Sequence, residues 1–253
     1  MCQYIDVHCH LPENYFYNSI DTYIKTWNQI GLKHIVSVSQ NYRESLRTLE
    51  LEKKYPNMII PAIGIHPWKA HKKIEELSLI KGLLSQHKQI RILGEVGLDK
   101  HFIKQPERYP LQQKVLDFFF EQAEKQDYRL MLHVKGAEQE IIDRIETSSI
   151  PGSHCCIHWF SGTEKNLQQL IDLDCYFSCG PALKYSTKHQ QVPKRAPIAR
   201  LLTESDGNVK YQGIIGQPGL MPDVTKLLAD LTKSSHSKIQ QTVLNNFYRF
   251  LGK

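Results

Sequence analysis

The sequence of 253 residues has no C-x-x-C pair, no internal repeat, no low-complexity tract and no apolar run approaching about 18 residues. Each absence excludes a class. Without a long apolar run, a membrane-spanning helix is not expected. Met1-Cys2-Gln3-Tyr4-Ile5-Asp6 lacks the basic region and apolar stretch of a secretory leader. The six cysteines, two of them adjacent at Cys155 and Cys156, form neither a disulfide scaffold nor a zinc ribbon. Reduced thiols in a cytoplasmic protein are the expectation. Charged residues are 23% of the chain, which argues against wholesale disorder. The surplus of 32 basic over 26 acidic residues, net +6, permits an anionic substrate without demanding one. A hydrophobic content of 41% suffices for one substantial core, so a single domain over residues 1–253 is expected.

What the chain has is β-rich runs alternating with amphipathic ones from end to end. The runs are Tyr4–Cys9, His34–Ser39, Met58–Ile65, Arg91–Val96, Tyr128–Val134, His154–Trp159, Cys175–Cys179 and Arg200–Ser205. Helical spacing of apolar residues lies between them: Leu46 and Leu49 in Tyr42–Lys54, then Ile80, Leu83 and Leu84, then Val115, Leu116, Phe119 and Phe120, then Ile141, Ile142 and Ile145. Such alternation predicts parallel βαβ units, and eight of them fit an α/β (β/α)8 TIM barrel. A doubly wound open sheet is the alternative pattern. Lys100–Pro110, Gly180–Pro197 and Gly207–Pro222 read as long loops. Lys238–Leu251 reads as a packing helix carrying Ile239, Val243, Leu244, Phe247 and Phe250.

The chain also has 12 histidines, and several are placed rather than scattered. His8 and His10 close the first run. Residues i and i+2 of a strand share a face, so both imidazoles point one way and Cys9 the other. Glu95, His133 and His158 end the fourth, fifth and sixth runs, and Asp206 follows the eighth. All six would reach one barrel mouth, where such folds build active sites. Four imidazoles and two carboxylates exceed the needs of one tetrahedral zinc and suit two divalent ions, zinc, manganese or magnesium, with a shared carboxylate. Two such ions lower the pKa of water and clamp both oxygens of a phosphodiester. Asp206 is placed to ligate a metal and to orient or deprotonate that water, a catalytic role.

Asp6-Val7-His8-Cys9-His10-Leu11, Gly64-Ile65-His66-Pro67-Trp68, Gly94-Glu95-Val96-Gly97-Leu98-Asp99, Ile157-His158-Trp159-Phe160-Ser161-Gly162 and Leu202-Thr203-Glu204-Ser205-Asp206 resemble, in order and separation, the motifs of the TatD family of metal-dependent DNases. Leu244–Leu251 is similar to that family's C-terminal helix. The resemblance spans the chain. It implies an amidohydrolase-like barrel in the cytoplasm that hydrolyses DNA with divalent metal, often as a 3′→5′ exonuclease on single strands. It implies that His8, His10, Glu95 and Asp206 hold one ion and Glu95, His133 and His158 the other, with Glu95 shared and catalytic. His66 would bind a substrate phosphate or lie beside the metals. The departures touch the substrate shell. Lys135 stands where the family commonly has Arg, Gly207-Asn208 replaces Ser-Pro, and Lys100-His101-Phe102 replaces the usual aromatic-Arg. They keep open a D-aminoacyl-tRNA deacylase or another metal-dependent amidohydrolase on the same scaffold.

Trp68 is a candidate base-stacking residue, as is Trp159, although an aromatic beside a strand end also simply plugs a barrel rim. Lys184 is the candidate phosphate contact nearest the seventh strand, ahead of Lys188, Lys194 and Arg195, which a solvated loop equally explains. Ser161 or Thr163 is expected to cap the helix after the sixth strand. Cys155, Cys156 and Cys179 are expected to pack rather than react.

Overall fold

The computed structural model describes residues 3–253. Eight strands, β1 (Tyr4–Cys9), β2 (Leu32–Val38), β3 (Ile59–Ile63), β4 (Ile92–Asp99), β5 (Arg129–Lys135), β6 (Cys155–His158), β7 (Tyr176–Cys179) and β8 (Leu201–Thr203), lie in chain order in one sheet, and every neighbouring pair from β1 to β8 is parallel. Between them run α1 (Asn14–Tyr17), α2 (Ile20–Gln29), α3 (Tyr42–Lys54), α4 (Ala70–Lys73), α5 (Leu77–Gln86), α6 (Tyr109–Lys125), α7 (Glu138–Thr147), α8 (Glu164–Asp172) and α9 (Thr187–Arg195). A hairpin of β9 (Lys210–Tyr211) and β10 (Ile214–Ile215), then α10 (Met221–Leu231) and α11 (His236–Phe250), complete the chain. This is the (β/α)8 barrel, not the open sheet. All six residues of β1 and all eight of β4 are buried, as strands covered on both faces must be.

The barrel closes between β8 and β1 by irregular links. Thr203 Oγ1 donates to Ile5 O (2.6 Å) and the Ser205 amide to Asp6 Oδ1 (3.0 Å). The Asp206 amide donates to His8 O (2.9 Å) and the His10 amide to Gly207 O (2.6 Å). The seam therefore fixes Asp206 directly against the His8–His10 segment.

α11 buries Ile239, Val243, Leu244, Phe247 and Phe250 as the spacing predicts. It starts two residues earlier than expected because Ser235 caps it, its side chain accepting from the Lys238 amide. Thr163 rather than Ser161 caps α8. The segment Gly180–Pro197, expected as a loop, is a short 3-10 turn at Pro181–Lys184 followed by α9, whose cap is Ser186. Its Lys-rich composition hid a helix whose Val192 and Pro193 are buried. Lys100–Pro110 is loop only to Gln105, and Gly207–Pro222 contains the small hairpin. Cys9, Cys155, Cys156, Cys175 and Cys179 are free and buried, and Cys2 lies outside the described residues. No helix among the described residues is long and apolar enough to cross a membrane.

Candidate metal centre

The six sequence-predicted ligands meet around the Glu95 carboxylate, which is 1% exposed. Oε2 lies 3.3 Å from His8 Nε2 and 3.5 Å from His10 Nε2. Oε1 lies 2.8 Å from His133 Nδ1, 3.3 Å from His66 Nε2 and 3.7 Å from His158 Nε2. Asp206 faces the same space, with Oδ1 3.5 Å from His10 Nε2 and 3.8 Å from His8 Nε2, and Oδ2 4.0 Å from His158 Nε2. The strand alternation works as expected: His8 and His10 share the cluster, while Cys9 packs outward with Leu11 and Phe16. Asp206 (φ 47°) and Trp159 (φ 45°) adopt left-handed backbone, strain that clusters at functional sites.

The residues fit a divalent cation. Both ring nitrogens of His8 and Glu95 Oε2 are buried without a hydrogen-bond partner. Stranding such groups costs about 1–3 kcal/mol each, and a shared cation removes that cost. Ligand atoms of His8, His10 and Glu95 lie within 4.8 Å of one another. Imidazole nitrogen with carboxylate oxygen suits zinc, manganese or iron.

Outer hydrogen bonds orient these rings, as they do at metal sites generally. His158 Nδ1 donates to Glu204 Oε2 (2.6 Å), which leaves Nε2 facing Glu95 and Asp206. Glu204 also accepts from Ser178 Oγ (2.7 Å) and the Trp159 amide (3.2 Å). His133 Nε2 donates to Asp99 Oδ2 (2.9 Å). Gln40 Nε2 lies 3.3 Å from His10 Nδ1 and donates to Glu13 Oε1 (2.8 Å). His66 differs. Its Nδ1 accepts the Trp68 amide (3.1 Å), so its proton sits on Nε2 and points at Glu95. His66 therefore presents an N–H to the mouth rather than a lone pair.

Burial alone would raise Glu95, but the imidazoles around it, His66 and His8 foremost, hold it well below the usual carboxylate range. Burial opposes protonation of His10, yet Asp206 and Glu95 lift it to about 9. His133 is likewise raised against its burial by Asp99 and Glu95. Burial, together with His8 stacked at 3.7 Å, pushes His158 well down. The metal-free cluster thus carries protons on some ligands and lone pairs on others.

The predicted substrate contacts divide. Trp68 is 41% exposed, and its indole N–H donates to Asp99 Oδ2 (2.6 Å). Lys135 Nζ donates to Trp159 O (2.6 Å) and Ser161 Oγ (2.9 Å), using two of its three donors, and burial lowers its pKa. Lys184 is exposed and stands apart, its ammonium 5.4 Å from the Tyr185 ring centroid. Trp159 packs on Tyr211 (4.4 Å between centroids), the plugging alternative rather than an open stacking face. Sequence reasoning gave no role to Asp99, Glu204 or Tyr211, whose hydroxyl donates to Asp206 Oδ2 (3.3 Å). Asp99 and Glu204 lie inside the quoted motifs, so their position was the available signal. Tyr211 carried none, because only the hairpin folds it back.

A family model for TatD related DNase matches residues 5–252. The chain belongs to the TatD family. A protein named as an uncharacterized metal-dependent hydrolase of Haemophilus influenzae is 27% identical over 223 residues, covering 85% of this chain and 88% of that one. The 3′-5′ ssDNA/RNA exonuclease TatD of Edwardsiella piscicida is 23% identical over 257 residues, covering 96% of each. The crystal structure of YjjV, an Escherichia coli TatD homologue, superposes with a TM-score of 0.91 at 25% identity and covers 100% of this chain and 99% of its own. As a TatD family member the chain is a metal-dependent hydrolase, and the cluster around Glu95 is the group of residues able to hold its metal.

Proposed function

We propose that this TatD family protein is a deoxyribonuclease that shortens single-stranded DNA from its 3′ end. The observation that carries the reading is the carboxylate of Glu95 set among five imidazoles at the mouth of the barrel, beside Asp206. His8, His10, Glu95 and Asp206 would hold one divalent ion, and Glu95, His133 and His158 a second. When bound, such ions lower the pKa of water and neutralise charge on a phosphodiester. The chain's own residues supply the rest. Asp206 Oδ2, held by the Tyr211 hydroxyl, takes a proton from the attacking water. The Nε2–H of His66, which faces Glu95 Oε1 at 3.3 Å, would turn from it to donate to a phosphate oxygen. The remaining donor of Lys135, on an ammonium anchored by Ser161 and Trp159, does the same from the far side. Trp68 stacks a base next to the scissile phosphate. Lys184, at a distance, contributes only to long-range attraction of the strand.

The buried free cysteines fit a reducing, cytoplasmic setting. The whole chain acts as one barrel domain.

Metal-supplemented protein incubated with labelled single-stranded DNA, duplex DNA, RNA and D-aminoacyl-tRNA tests the reading. Single-stranded DNA shortened one nucleotide at a time from its 3′ end is expected. Release of the D-amino acid without cleavage of any phosphodiester would replace the nuclease with the deacylase.

A further inference from the structure

Asp99 ends β4, fully buried, and its carboxylate is surrounded by donors. Oδ1 accepts the amides of His101 (2.9 Å) and Phe102 (2.7 Å). Oδ2 accepts the Trp68 indole N–H (2.6 Å) and His133 Nε2–H (2.9 Å). Its own amide donates to Gln112 Oε1 (2.7 Å), and Gln112 Nε2 donates back to Asp99 O (3.1 Å), which clamps the residue to α6. Trp68 and Phe102, 41% and 58% exposed, face each other edge-on with centroids 5.4 Å apart. One carboxylate therefore grips the indole of one exposed aromatic, the backbone of the other, and the ring of a candidate metal ligand.

Building on the nucleic-acid reading, we propose that Asp99 is a positioning residue that couples the Trp68–Phe102 platform to His133, so that base stacking and metal occupancy strengthen each other. Only a carboxylate offers four acceptor sites and no donor. With all four filled, a turn of His133 toward an ion shifts the oxygen that also holds Trp68. A base that fixes Trp68 in turn holds His133 Nε2 on Asp99 and keeps its Nδ1 turned to Glu95. By linkage the two effects are equal: the factor by which metal tightens the base is the factor by which the base tightens metal.

Thymidine isolates this effect because it has a base and no phosphate to touch an ion. Its affinity is measured by titration calorimetry with and without Mn2+, a readout that does not depend on the Trp68 indole. For the unmodified protein, Mn2+ is expected to tighten thymidine at least about five-fold. Asp99→Asn sets an amide N–H2 against two N–H donors and is expected to bring that factor below about two. Trp68→Phe keeps a ring but removes the indole donor, and is expected to do the same while thymidine still binds. A merely structural Asp99 lowers the melting temperature and leaves the factor intact. The proposal is overturned if the unmodified protein shows no coupling, or if Asp99→Asn retains it; should Asp99→Asn not fold, retention by Trp68→Phe decides the matter. Failure of the nucleic-acid reading looks different: the unmodified protein then binds neither thymidine nor a short oligothymidylate at low salt.

Discussion

Replacing Glu204 by Gln removes a charge and no atoms, and the geometry says where the effect falls. Oε2 of Glu204 serves His158 Nδ1–H and Ser178 Oγ, and Oε1 serves the Trp159 amide. If the new amide oxygen takes the Oε2 position, the N–H2 opposes the Trp159 amide. If it flips, the N–H2 opposes His158 and favours moving that ring's proton to Nε2, the nitrogen facing Glu95 and Asp206. The first arrangement strands one backbone N–H at about 1–3 kcal/mol. The second blocks a metal ligand. Either way His158 loses the negative partner that makes its free nitrogen basic. Outer partners of metal-binding histidines are worth 10–100-fold in affinity, or about 1.4–2.7 kcal/mol. The metal-free fold suffers less, because burial already raises the Glu204 pKa and a neutral side chain avoids that cost. Manganese titration followed by calorimetry, with thermal melting of the metal-free protein alongside, measures both. A 10–100-fold weaker site with melting shifted by no more than a few degrees is expected. Metal affinity within two-fold of the unmodified protein would refute the orienting role of Glu204.

Asp206→Asn should lower turnover at least about 100-fold with the fold retained, and near-normal turnover would remove Asp206 from proton transfer. Gly97 pairs with His133 across β4–β5 at φ +154°, and an added Cβ would lie 1.9 Å from His133 O. Gly97→Ala should therefore destabilise by about 3 kcal/mol or more in chemical denaturation. Gly82→Ala, in α5 with nothing within 4 Å of its added Cβ, should instead stabilise by about 0.4–1 kcal/mol. Metal affinity should fall with acidity. His10, with its pKa lifted to about 9, holds a proton in the metal-free protein that a bound ion must expel, so each pH unit below 9 costs up to about ten-fold per proton displaced. A manganese affinity unchanged between pH 9 and pH 6 would contradict this.

The sequence by itself determined the barrel and its six candidate ligands. Alternating periodicities name β and α segments locally, and a strand's two-residue repeat sends His8 and His10 the same way whatever surrounds them. Ligands at successive strand ends converge because parallel strands share one C-terminal mouth. Hydrogen-bond direction was beyond its reach. That His66 offers an N–H depends on the Trp68 amide two residues away in a turn whose geometry composition does not specify. That Asp99 serves His133 and Trp68, and Glu204 serves His158 and Ser178, depends on contacts between β4 and β5 and across β6, β7 and β8. Lys135 and Lys184 look alike in sequence as cations near strand ends, yet one is half-buried and hydrogen-bonded to Ser161 and the other is exposed. The helix α9 was misread because its charged residues face solvent, and the apolar face that fixes it shows only once it packs. Residue type and period are local properties of a chain, whereas the partner of a buried polar atom is chosen by the closing of the barrel, which brings Asp206 beside His8 across nearly 200 residues of sequence.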